Sequence, residues 1–245
     1  MDATPPLDET FDETFVRCVS ADGAELRLPT RLYRSEHVGG FVLVLAHGAG
    51  APQAHPFMVR VASAMARAGV SVRTFDFPYV VEGRRAPDRL PRLVEAFRAV
   101  VEDTEEKVGG ALFVGGKSMG SRAAAELCRA RAEPPRGLVC FGYPLSPRER
   151  PAQEASREAL LRAVPAPVPM YFAHGTRDPF ASEARMRELA AALGPRATLD
   201  IVPGGDHSLE VTRAEARGRS REQVWAEVGA RAAAWVHAHG GAGAE

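Results

Sequence analysis

Short apolar runs separated by longer stretches of helical periodicity fill this chain from Phe15 onward. Runs of five to nine residues rich in Val, Leu and Phe read as strands, and segments with apolar residues every three or four positions read as amphipathic helices. The pattern predicts strands over Phe15–Ser20, Ala24–Leu32 and Phe41–Ala46, a helix over Pro56–Ala68, a strand over Val70–Phe75 and a helix over Leu90–Glu106. It continues with a strand over Ala111–Gly115, a helix over Ser121–Ala132, a strand over Gly137–Phe141 and a helix over Pro151–Ala163. A strand over Val168–Ala173, a helix over Ser182–Leu193, a strand over Ala197–Val202 and a last helix over Arg219–His237 complete it. Alternating strands and helices imply an α/β fold with a mostly parallel sheet covered on both faces, opened by an antiparallel pair.

The length of 245 residues and 45% hydrophobic content suit one domain with a full core, expected over 15–239. Residues 1–14 and 240–245 are expected to be flexible ends. The start of the chain is acidic and lacks an apolar centre, so no signal peptide is expected, and no apolar stretch approaches membrane-spanning length. With 31 basic and 31 acidic residues, nothing in the charge argues for nucleic acid or an anionic membrane as partner. Only Lys107 and Lys117 are lysines, a bias we attribute to a GC-rich genome. Cys18, Cys128 and Cys140 lack metal-like spacing and read as small buried hydrophobes of a reducing cytoplasm. Neither metal nor cofactor is expected.

Chemistry enters at Gly116-Lys117-Ser118-Met119-Gly120, a G-x-S-x-G between an apolar run and a small-residue helix. In that context the pattern is a nucleophile elbow, with glycines two positions either side of Ser118 leaving room for a sharp turn. The strand ending near His174 leads to Gly175-Thr-Arg-Asp178-Pro-Phe180, which puts Asp178 just past its carboxyl end. The strand ending at Val202 leads to Gly204-Gly-Asp-His207-Ser208, which does the same for His207. A serine hydroxyl needs a base in hydrogen-bond reach and a carboxylate to fix that base's tautomer, so Ser118, His207 and Asp178 form the candidate triad. Taken singly, Ser118 and Asp178 could be helix caps and His207 a loop histidine; their order, nucleophile then acid then histidine, favours the catalytic reading. Asp206 competes for the acid role but would have to double back to reach the adjacent ring. Backbone N–H groups of Met119 and of Ala49, in the small-residue loop after Phe41–Ala46, are the candidate oxyanion hole.

Ala111 to Ser118 also fits a relaxed phosphate-binding loop, but Leu112-Phe-Val114 reads as a strand whose amides could not wrap an anion. Phe77 and Tyr79 follow a strand on the same side as the triad and are candidates to line a substrate pocket, with ordinary core packing as the alternative. Lys117 and Arg122 flank the serine; an anion-attracting role is open to them, but solvated charges are the first reading.

Several further segments belong beside the elbow: Leu45-Ala-His-Gly-Ala-Gly-Ala51, His55-Pro-Phe-Met58, Phe75-Asp-Phe-Pro-Tyr79, Pro87-Asp-Arg89 and Gly142-Tyr-Pro-Leu145. With the elbow and the two loops above, they make the chain resemble the α/β-hydrolase superfamily along nearly its whole length. More narrowly it resembles the dienelactone-hydrolase-related group, which includes bacterial proteins of unknown substrate and testis-expressed and histone-acetyltransferase-complex-subunit relatives. The resemblance implies the α/β-hydrolase fold and assigns Ser118, Asp178 and His207 as its triad. It fails after Leu145, where Ser146-Pro-Arg-Glu-Arg replaces the usual His and Pro-Gly run, and at the nucleophile, which is cysteine in dienelactone hydrolases proper. The stretch from Tyr143 to Pro167 is too short for a large lid. The expected function is hydrolysis of a small ester or thioester in the cytoplasm; the competing class is a non-catalytic interaction module on the same scaffold.

Overall fold

The computed structural model describes residues 10–19, 23, 25–36, 40–146 and 153–241. Eight strands form one sheet in the order β1-β2-β4-β3-β5-β6-β7-β8. They are β1 (Asp12–Val19), β2 (Glu25–Tyr33), β3 (Phe41–Ala46), β4 (Val70–Phe75), β5 (Ala111–Lys117), β6 (Leu138–Phe141), β7 (Met170–Gly175) and β8 (Ala197–Val202). β2 pairs antiparallel with both β1 and β4, and every other pairing is parallel. The order reverses at β3, which lies between β4 and β5. In an open parallel sheet such a reversal leaves a crevice at the carboxyl edge, because the loops on either side depart in opposite directions.

The helices are α1 (Pro56–Arg67), α2 (Pro78–Val81), α3 (Leu90–Lys107), α4 (Met119–Ala130), α5 (Glu154–Arg162), α6 (Glu183–Leu193), α7 (Arg213–Ala216) and α8 (Arg221–Gly240). The apolar residues divide into two cores, as a sheet buried on both faces requires. On one face Leu93 and Phe97 of α3, Ala124 and Leu127 of α4, Leu161 of α5 and Leu189 of α6 cover Val42, Val44, Val114 and Phe172. On the other, Phe57 and Val61 of α1 and Trp225, Val228 and Trp235 of α8 cover Leu43, Leu45, Phe113 and Val139. All three cysteines are buried and unpaired.

Element identity follows the hydrophobic pattern, and departures have local causes. β1 starts at Asp12 rather than Phe15 because cross-strand polar pairs extend the ladder: Thr14 Oγ1 meets Thr30 Oγ1 at 2.8 Å and Arg34 Nε meets Asp12 Oδ2 at 2.6 Å. β7 begins at Met170, two positions beyond the expected Val168, since Pro169 between them has no amide to donate. α8 begins at Arg221, after a capping box in which Ser220 Oγ accepts from Gln223 N and Gln223 Oε1 accepts from Ser220 N. It runs on through Gly240, where a Cβ would collide with the Phe41 ring at 2.1 Å. The four-residue α2 and α7 carry too little periodicity to be read from sequence. Between β6 and β7 the described residues hold α5 alone, with no lid domain. The expected starts and ends at Ser20, Ala24 and Pro151, most of the Ser146–Arg150 run and most of the expected flexible ends lie outside the described residues. Among the described residues no helix is long and apolar enough to cross a membrane.

Candidate active site

Leu112, Phe113 and Val114 pair with β3 on one side and β5 leads on to pairing with β6 on the other, so the run that mimics a phosphate loop is a central strand. β5 ends at Lys117, and the chain reverses at Ser118 into α4. Ser118 has φ 51° and ψ −112°, a conformation that costs a residue with a side chain on the order of 1–3 kcal/mol. Close approach of strand, turn and helix holds it there. A Cβ on Gly116 would lie 2.2 Å from Gly120 C, and one on Gly120 would lie 2.4 Å from Ala46 O. The Ser118 amide is donated to Phe141 O at 2.9 Å, which anchors the turn to the neighbouring strand.

As the residue before a helix, Ser118 is placed to cap it, yet its side chain makes no cap hydrogen bond. Its hydroxyl instead lies 2.8 Å from His207 Nε2. His207 Nδ1 lies 2.8 Å from Asp178 Oδ2, and since a carboxylate only accepts, Nδ1 carries the proton and Nε2 is left to accept from the serine. Asp178 is buried, and its other oxygen accepts from Phe180 N at 2.8 Å. The imidazole reaches the serine from β8 by passing over the end of β6. Gly142 makes that passage possible: its φ is +60°, and a Cβ there would stand 2.8 Å from His207 O and 3.4 Å from Nδ1. The Phe180 ring stacks at a tilt against the imidazole, centroids 4.3 Å apart. Asp206 turns away. Its Oδ1 accepts from Ser208 N at 2.8 Å and Glu210 N at 3.0 Å, bracing the turn that presents His207.

The loop after β3 comes against the elbow at Gly48, whose added Cβ would meet Lys117 O at 3.3 Å and Ser118 Cβ at 3.6 Å. Ala49, Met119 and Ser118 border one cleft of about 470 Å³. Met119 opens α4, so its amide has no partner within the helix, and no hydrogen bond among the described residues uses the amide of Ala49 or Met119. His47, fully buried, fixes the loop. Its Nδ1 donates to Gly48 O at 2.8 Å and its Nε2 accepts from Phe77 N at 3.1 Å, a pairing that requires the neutral ring. Burial pushes its pKa down to match.

Two expectations are corrected. Phe77 and Tyr79 do not face the cleft; both are buried and pack on His47, with ring centroids 4.9 and 5.9 Å away, so they support the loop from within the core. Lys117 is not a solvated charge. It is 6% exposed, on the side of the sheet covered by α1, with Nζ 5.3 Å from the Phe57 ring centroid and 3.5 Å from Ser208 Oγ. Both faces of β5 are covered, so the residue before the serine has nowhere to reach solvent, and burial lowers its pKa. Arg122, one turn into α4, does border the cleft. Sequence reasoning missed Gly142 as the floor under the histidine and Arg157 as a cleft residue. The first could be suspected only from the glycine at a strand end, and the second carried no signal, because α5 is distant in sequence.

A family model described as an alpha/beta hydrolase domain matches residues 40–237. Among solved structures, the chain is similar to dienelactone hydrolase from Anabaena variabilis at 20% identity, over 94% of this chain and 98% of that one, with a TM-score of 0.69. It is also similar to the esterase domain of a Rhodothermus marinus protein, at 17% identity over 94% and 100% of the two chains and a TM-score of 0.69. A Xanthomonas campestris protein described as an a/b serine hydrolase without lid matches at 17% identity, over 93% and 97%, with a TM-score of 0.65.

Proposed function

The chain belongs to the alpha/beta hydrolase domain family, and from that premise we propose that it is a serine hydrolase cleaving a small carboxylic ester or thioester through an acyl-enzyme. The observation that carries this reading is the continuous relay from Asp178 Oδ2 through His207 to Ser118 Oγ, with 2.8 Å at each link. His207 Nε2 takes the serine proton as Oγ attacks the carbonyl carbon, and Asp178 holds the ring oriented and stabilises the imidazolium. The amides of Ala49 and Met119 receive the oxyanion of the tetrahedral intermediate. The imidazolium returns its proton to the departing alcohol or thiol, and a water deprotonated by His207 then releases the acid. No cofactor has a step in this scheme, and the partner is a small molecule in the cytoplasm, not nucleic acid or membrane.

The acyl group is of short to medium size. A long chain needs a deep apolar wall to desolvate it, each buried methylene contributing about 0.8 kcal/mol, and this cleft interrupts its apolar border of Leu90, Leu93, Met119 and Phe180 with Asp88, Arg89, Arg122 and Arg157, without a lid domain among the described residues to close it. With a series of p-nitrophenyl esters and matching acyl thioesters, kcat/KM is expected to peak at short acyl groups and flatten beyond them. A steady rise through octanoyl to palmitoyl would replace this reading with a lipase or long-chain thioesterase. Complete inertness toward the series, with no reaction at Ser118, would leave the interaction-module reading.

A further inference from the structure

Three arginines that no carboxylate among the described residues neutralises border the cleft beside Ser118: Arg89, which is exposed, and Arg122 and Arg157, which are not. Arg122 lies one turn into the helix that Ser118 opens, and its Nε is buried with no hydrogen-bond partner among the described residues. Arg157, on α5, is 9% exposed; its Nη1 donates to Pro144 O and its Nη2 to Gln153 Oε1 at 3.2 Å, while its buried Nε has no partner. Neither forms an ion pair among the described residues, where about half of the arginines do: Arg84 and Arg92, for example, share Asp88 and Glu82 nearby. Asp88, the carboxylate bordering the cleft, is occupied by those two arginines and by the Tyr79 amide.

A buried, unpaired cation is expensive, and two near one another repel. Burial first and then the charge of Arg122 push the Arg157 pKa down to about 10. A bound oxyanion reverses both costs. The planar guanidinium fork matches the paired oxygens of a carboxylate or phosphate, and hydrogen bonds of this charge-assisted kind are among the strongest available to a protein.

We propose that the substrate carries, besides its scissile ester or thioester, an oxyanion group, a carboxylate or a phosphate, which Arg122 and Arg157 hold in the cleft. This rests on the serine-hydrolase reading for the identity of the scissile bond, but not for the anion site itself. Arg122 and Arg157 are then the specificity-determining residues, placing the anion one helical turn from the nucleophile.

The test compares mono-4-nitrophenyl glutarate with the neutral 4-nitrophenyl pentanoate at fixed ionic strength, in the native protein and in Arg122→Gln and Arg157→Gln. The native protein is expected to favour the anionic ester by roughly tenfold or more in kcat/KM, and the ratio to fall toward one in Arg122→Gln. Should Arg157→Gln fail to fold, Arg122→Gln alone decides, since its side chain lies on an already formed helix. Calorimetric titration with glutarate and with inorganic phosphate separates the sources: tighter glutarate binding identifies a carboxylate, tighter phosphate binding a phosphate, and either must weaken in Arg122→Gln. Equal turnover of the two esters with no binding of either anion overturns the proposal while leaving the hydrolase intact. No turnover of either ester counts against the hydrolase alone, and the titrations still decide the anion site.

Discussion

Asp178 Oδ2 stands 2.8 Å from His207 Nδ1, whereas the carboxylate next to that histidine in sequence, Asp206, is bound to the amides of Ser208 and Glu210. Distance along the chain and distance in space therefore give opposite answers about which acid serves the imidazole. Asp178→Asn is expected to lower kcat by on the order of 10³–10⁴, because the amide favours the wrong tautomer. Asp206→Asn should cost far less turnover and act through the loop, lowering the unfolding midpoint. Steady-state kinetics on both variants check the ranking; a larger kinetic loss in Asp206→Asn would reassign the acid.

The same separation of chemistry from support applies to the loop after β3. His47 joins Gly48 O to Phe77 N inside the core, so His47→Phe strands two buried backbone groups, each worth about 1–3 kcal/mol. The variant is expected to lose stability of that order in urea. Its kcat should fall roughly tenfold or more with little change in KM, since a displaced Ala49 amide serves the transition state and not the ground state. Destabilisation with unaltered kcat would separate the loop from the oxyanion.

Three histidines set the response to mild acid. Burial is the leading cause that lowers the pKa of His47, His55 and His174, so the folded protein resists protons that the unfolded chain accepts near pH 6.5. Where the unfolded state binds more protons, stability rises with pH; it is therefore present above about pH 6.5 and lost as pH falls below it. Urea midpoints are expected to drop between pH 7.5 and 5.5, above the range in which exposed carboxylates titrate. A flat or rising midpoint over that interval would show that these rings take up protons in the fold.

How far the chain could be read beforehand depended on whether a signal was local. The G-x-S-x-G turn announces itself because one of its constraints is local, Gly116 against Gly120, whereas Gly120 answers to Ala46 on the neighbouring strand. Asp178 and His207 were legible from strand ends, since parallel strands deliver their carboxyl ends to one edge. Lys117 misled because sequence shows a charge but not that α1 closes the face of the sheet it points toward. Phe77 and Tyr79 misled in the opposite sense: they follow a strand that ends at the same edge, but His47 draws them inward. Gly142 is required by its approach to His207 from another strand, and Arg157 reaches the cleft from α5 to border it with Arg122; no spacing along the chain encodes either.

The central claim is that Ser118 is the nucleophile, and intact-protein mass spectrometry after treatment with a fluorophosphonate tests it most directly. One covalent adduct on the native protein, located to the peptide containing Ser118 and absent from Ser118→Ala, is the predicted result. An adduct that persists in Ser118→Ala, or a native protein that takes up none, would contradict it.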